Sequence, residues 1–126
     1  MRKHEEAAEL LAVAKRELKS LRGMLDPDVF ADEVFGFLAQ QAVEKALKAW
    51  LCLRGRSYPF THDLTDLLSR LEDSGEDVGE LWDLAELNAF AVQLRYSSLP
   101  AGDEPVDRAG TIERVEAVVQ RVADSQ

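Results

Sequence analysis

Apolar residues recur at helical spacing along most of the chain, and no stretch alternates with the two-residue rhythm of a strand. From Lys3 to about Arg22, Ala7, Leu11, Ala14, Leu18 and Leu21 fall at alternating steps of four and three, which predicts a one-faced amphipathic helix. Gly23 is its expected C-cap, and Asp26-Pro27-Asp28 stops it and starts the next helix. The stretch from Asp28 to Arg56 contains no proline, and Gly36 is its only weak helix former before Gly55. With Asp28 as N-cap, it predicts a central helix of about seven turns. At about 100° per residue, Val34, Phe35, Leu38, Ala42, Ala46 and Trp50 form one broad apolar face. Phe30, Phe37, Leu47 and Leu51 fall outside it, near Glu33, Gln40, Glu44 and Lys48. A helix apolar around most of its circumference predicts two contact surfaces, one for its own bundle and one for a second subunit. The alternative is that helices of the same chain cover the remainder. Phe37 amid charged residues favours a partner, with Gln40, Gln41, Glu44 and Leu47 as the accompanying interface.

Farther along, Thr61 has the character of an N-cap, with Asp63 suited to the positive end of a helix dipole. Leu64, Leu67, Leu68 and Leu71 then mark a short third helix. An acidic turn, residues 72–77, precedes a fourth helix expected from about Val78 to Tyr96. Residues 97–107 read as an exposed loop. A last helix is expected from Thr111 to Ala123, with Ile112, Val115, Val119 and Val122 on one side. Glu44 and Lys48, four residues apart with the acid first, should give the central helix modest surface support. The whole predicts an all-α fold, an up-and-down antiparallel bundle of four to five helices forming one domain over residues 1–126.

Composition narrows the functional classes. A chain of 126 residues can bury one core without disulfides or metal. Its net charge of −9 argues against a broad phosphate-binding surface, although a local basic patch is compatible with it. The lone Cys52 lies inside the central helix and reads as a small buried hydrophobe. Apolar runs no longer than that of Ala49 to Leu53 are far too short to cross a bilayer, and Met1 leads directly into an amphipathic helix, so the expected location is the cytoplasm. No residues have metal-ligand spacing, no glycine-rich phosphate loop is present and no nucleophilic triad can be drawn. Neither metal nor cofactor is expected.

Two places carry candidate chemistry. Asn88 and Arg95 fall within the core-facing stripe of the fourth helix, beside Leu81, Leu84, Ala91 and Val92. A buried amide or guanidinium needs partners. Either neighbouring groups of the same chain supply them, or the two residues line a cleft for a phosphate or carboxylate. The second place is the loop with Arg54, Arg56, Tyr58, Phe60, Thr61 and His62, a cationic and aromatic cluster in an acidic chain. Such a loop beside a helix start suits a phosphate, its rings suit a base, and His62 suits proton transfer. The alternative is a loop packed over the bundle end, with His62 tying the helix start to its neighbours.

The segments FLAQQAVEKALKAWLCLRG, THDLTDLLSRL and LNAFAVQLRYS together closely resemble the bacterial and archaeal HEPN family, over about Ala7 to Arg121. The resemblance implies a helical bundle that forms a homodimer, and a minimal nucleotidyltransferase partner in two-gene toxin–antitoxin modules. It adds Tyr96 to Asn88 and Arg95 as ligand-binding residues for a nucleotide or RNA. Some members are metal-independent endoribonucleases that use an arginine followed four to six residues later by histidine. Residues Ser98 to Gly102, which follow Arg95 here, include no histidine. Arg56 and His62 match the spacing in a different loop, and form the alternative catalytic pair. The leading expectation is a non-catalytic, dimeric partner of a nucleotidyltransferase.

Overall fold

The computed structural model describes residues 2–95 and 105–126, without the side chains of residues 92–95. It contains α1 (Arg2–Arg22), α2 (Asp32–Leu53), α3 (Leu64–Asp73), a 3₁₀ segment (Gly79–Leu87), α4 (Asn88–Arg95) and α5 (Arg108–Asp124). The fold is an all-helical bundle, as the spacing predicts, with no strand among the described residues. All five positions expected to face inward from α1 are buried, as are the four leucines of α3.

The helix ends show which polar residues win the local competition for backbone groups. The α2 helix begins at Asp32, three residues later than Asp28 as N-cap would place it. Asp26 accepts the Asp28 N–H on its side chain at 2.9 Å, and its carbonyl accepts from Phe30 at 3.0 Å. That local turn takes up the segment Asp28 was expected to cap. Asp32 and Glu33 instead place their charges in the first turn, at the positive end of the dipole. The α3 N-cap is Asp63, whose side chain accepts the Thr65 N–H at 3.0 Å; Thr61 sits two residues earlier and accepts the Asp63 N–H at 3.0 Å. At the end of α2, Gly55 has φ +72°, and Arg56 N–H returns to the Leu51 carbonyl at 2.9 Å. Gly75 closes α3 in the same way, with φ +89° and Glu76 N–H on the Leu71 carbonyl. Gly23 lacks this left-handed conformation, so the expected cap there is not formed.

Contacts along the helices fix their directions. Lys3 Nζ donates to the Arg56 carbonyl, whereas Glu17 pairs with Lys45, so α1 and α2 run antiparallel. The connection after α2 then returns along it: Tyr58 lies beside Lys48, and His62 reaches Glu44 and Gln40. From there α3 runs in the same sense as α2, ending where Glu76 meets Trp50 and Arg54. The 3₁₀ segment leads back to Asn88, at the start of α3. Its buried residues are Leu81, Leu84 and Leu87, and steps of three suit a helix with three residues per turn.

The α2 helix packs against every other element, and α1 also packs on α5. The chain itself covers much of the surface for which a second subunit was expected. Leu47 and Gln40 are 0% exposed and Glu44 is 4%, so these three are core residues, contrary to their expected place in an interface. Leu51 is buried too, while Phe37 and Gln41 remain half-buried. Cys52 is buried as expected, and burial pushes its thiol up in pKa. Arg108 is also buried. It donates to the carbonyls of Met24 at 2.7 Å and Phe30 at 2.6 Å, pairs with Asp32 at 2.7 Å, and lies over the Phe35 ring. It thereby fastens the start of α5 to the α1–α2 connection. No described helix is long and apolar enough to cross a membrane.

Gly36 lets α4 approach α2: a Cβ there would lie 2.2 Å from the Phe90 ring. Gly36→Ala is expected to destabilise the fold by about 1–3 kcal/mol through overpacking. In a Phe90→Ala background the same change should become neutral or stabilising, since alanine favours the helix by about 1 kcal/mol. Urea unfolding of the two single variants and the double variant measures both.

Candidate functional site

Five polar residues of α2 form a continuous seam between α1 and the start of α3. Glu17 of α1 pairs with Lys45 at 2.8 Å, and Lys45 Nζ also donates to Gln41 Oε1 at 3.2 Å. Gln41 donates to Gln40 Oε1 at 2.7 Å, and Gln40 Nε2 donates to the His62 carbonyl at 2.6 Å. Glu44, one turn on, accepts from Lys48 Nζ at 3.0 Å on one oxygen and meets His62 Nδ1 at 2.9 Å on the other. The Glu44–Lys48 pair expected on the surface is therefore an interior one. Its carboxylate fixes His62 through Nδ1, so that only Nε2 of that half-exposed ring is open to an outside group.

The start of α3 is bound from the side by Asn88. Its Oδ1 accepts the Leu64 N–H at 3.0 Å, and its Nδ2 donates to Asp63 Oδ1 at 2.8 Å. Both ends of the amide are committed within the chain, so Asn88 is a positioning group here and not an open ligand. Asp63 also accepts from the Thr65 hydroxyl. That bond is the main reason its carboxyl lies below the usual range; burial opposes it, and the Thr65 N–H and Asn88 bonds reinforce it. The Arg95 side chain and Tyr96, expected to complete a cleft with Asn88, lie outside the described residues.

The returning connection spreads its candidates along α2. Arg54 is paired through Nε with Glu76, which also accepts the Trp50 indole N–H at 3.1 Å. Burial pushes the Glu76 carboxyl up, but the bonds from Arg54 and Trp50 and the nearby positive charges outweigh it, leaving it below its ordinary value. Arg121 covers the Trp50 ring from α5, 4.6 Å from its centroid. Tyr58 donates to Glu6 at 2.6 Å, and this bond, with burial and the Glu6 charge, pushes its phenol up to about 12. Thr61 is occupied by the Asp63 N–H, while Phe60 projects fully into solvent. Arg56 and His62 do not meet. Arg56 is fixed at the level of Leu51 and His62 at the level of Glu44, which the helical rise separates by about 10 Å.

Removing the seam's central carboxylate leaves Lys48 buried without a partner. Glu44→Ala is expected to cost about 3 kcal/mol, and Lys48→Met in that background to recover part of it, read by urea unfolding. Asp63 and Glu76 are both held below their ordinary values. Their contribution to stability is complete above about pH 4–4.5 and disappears as pH falls through the lower folded values. Thermal midpoints should therefore hold steady from neutral pH down to about 5 and drop below about 4. Asp63→Asn should make that drop shallower, as followed by circular dichroism.

Comparison with known proteins adds one finding. No match was found among curated proteins or among solved structures. The model of the HEPN domain matches residues 7–125, nearly the whole length, and the chain belongs to the HEPN domain family.

Proposed function

We propose that this HEPN protein is a non-catalytic binding module, a homodimer that captures a minimal nucleotidyltransferase as one half of a two-gene toxin–antitoxin pair, with a nucleotide or RNA as a further ligand. The observation that carries this reading is a set of exposed apolar residues in the α1–α2 connection and the first turns of α2. Leu25, Val29 and Val34 are 53%, 68% and 45% exposed, and half-buried Phe37 and Leu38 follow Val34 on the same helical face. By contrast, Gln40, Glu44 and Asn88 are engaged with one another's neighbourhoods inside the chain. The lack of histidine from Ser98 to Gly102 supports a binding role as well, because Arg95 cannot take a proton from a hydroxyl at neutral pH.

A second reading, a metal-independent endoribonuclease, has one observation in its favour: a carboxylate, Glu44, holds the Nδ1 side of His62, as expected for an oriented general base. The separation of Arg56 from His62 weighs against a shared site. Cleavage of RNA in EDTA, abolished by His62→Ala with the fold intact, would establish it.

For the binding reading, co-expression with the neighbouring-gene nucleotidyltransferase should yield a complex that survives size exclusion at micromolar concentrations. Alone, the chain should scatter light as a dimer, and Val34→Glu or Phe37→Glu should halve the mass while the helical spectrum is kept. A monomer that never retains the nucleotidyltransferase would refute the reading.

A further inference from the structure

Beside the last turn of α2, the chain leaves an open cleft of about 440 Å³ between that helix, the beginning of the returning connection and the end of α3. Its walls carry Arg54, Arg56 and Arg70, with Ser57, Asp73 and Leu51. The volume suits a small molecule. Three guanidinium groups gathered around one cleft are unexpected in a chain with a net charge of −9.

The way the arginines are held matters more than their number. Arg54 bonds Glu76 through Nε, and Arg70 bonds Asp66 through Nε at 2.9 Å. Each acid thus anchors one edge of a guanidinium, and among the described residues no terminal Nη of either arginine has a hydrogen-bond partner. Arg56 has no ion-pair partner among the described residues. Its main chain is nevertheless fixed, with the N–H on the Leu51 carbonyl and the carbonyl accepting from Lys3 Nζ. Gly55, also on the cleft wall, has open space where a side chain would begin.

Asp66, Asp73 and Glu76 balance the three positive charges, so attraction by net charge is small. Recognition has to come from directed donors. Three forks offer more N–H groups than the two oxygens of a carboxylate can accept, whereas a phosphate monoester presents three terminal oxygens to them.

We propose that this cleft binds the phosphate group of a small phosphate ester, with Arg54, Arg56 and Arg70 as its donors. A mononucleotide and the 5′ end of an RNA carry the same group. The proposal deepens the ligand part of the function above and rests on it only for the source of the phosphate. Dimer formation and capture of the nucleotidyltransferase are read separately, so either can fail alone.

Calorimetric titration of the whole chain with AMP, pyrophosphate, and 5′-phosphorylated and 5′-hydroxyl oligoribonucleotides provides the test. A single saturable site is expected for AMP or for the 5′-phosphorylated RNA, and which of the two binds identifies the source. Arg56→Ala and Arg70→Ala should each weaken it about tenfold or more. Asp73→Asn should tighten it, and Arg16→Ala on the exposed side of α1 should leave it unchanged. These positions are at the surface, and circular dichroism verifies that each variant folds. Absence of saturable binding tighter than about 1 mM by any phosphate-bearing probe overturns the proposal. Equal binding of the two oligoribonucleotides without AMP binding does so too, as do cleft variants that bind like wild type.

Discussion

A carboxylate in the interior of a helical bundle is tolerable only where cations and donors replace its lost water. Glu44 sits there, midway along α2, and its two oxygens are satisfied from different places: Lys48 of its own helix and His62 of the connection that follows. The second of these has consequences for the topology. Bringing His62 to Glu44 requires the chain to travel back along α2 after Gly55, and α3 can then start only at that level. Gln40 reinforces the arrangement by holding the His62 carbonyl, and Asn88 secures the first residues of α3 from the far side. Glu44 and Gln40 thus hold the returning connection to α2, and Asn88 holds the α3 start that the connection delivers.

The repeating part of the architecture could be read from the chain because it depends on local periodicity. Ala7, Leu11, Ala14, Leu18 and Leu21 face inward in α1 as their spacing requires, and the α3 leucines do the same. The tighter winding of residues 79–87 was legible in principle, since Leu81, Leu84 and Leu87 recur every third residue, but a single wheel drawn through to Tyr96 averages it away. What periodicity cannot say is who covers a face. Leu47 and Leu51 are apolar beside charged neighbours whether a second subunit or the same chain lies over them, and here it is the same chain.

The candidate site divides along the same line. His62 and Asn88 stand out in the sequence as polar residues needing company, but their partners Glu44, Leu64 and Asp63 are 18 to 25 positions away. Arg108 carried no local signal, because two of its acceptors, the Met24 and Phe30 carbonyls, are backbone atoms that every residue possesses, and the third, Asp32, is 76 positions away. Arg70 was hidden for a related reason: it lies within the polar side of an amphipathic helix, and only the course of the chain brings it near Arg54 and Arg56. The result separates inward-looking chemistry in the seam from outward-looking surfaces at the two ends of α2.

The 3₁₀ segment acts as a ruler. Its nine residues span about 18 Å, whereas an ordinary α-helix of that length would reach about 13.5 Å. Helix α3, with ten residues, is about 15 Å long, and the chain must retrace it to deliver Asn88 to its beginning. The stretched winding covers that distance without an extra residue; relaxed to α-helical pitch, the segment would fall short and turn its leucines off the core.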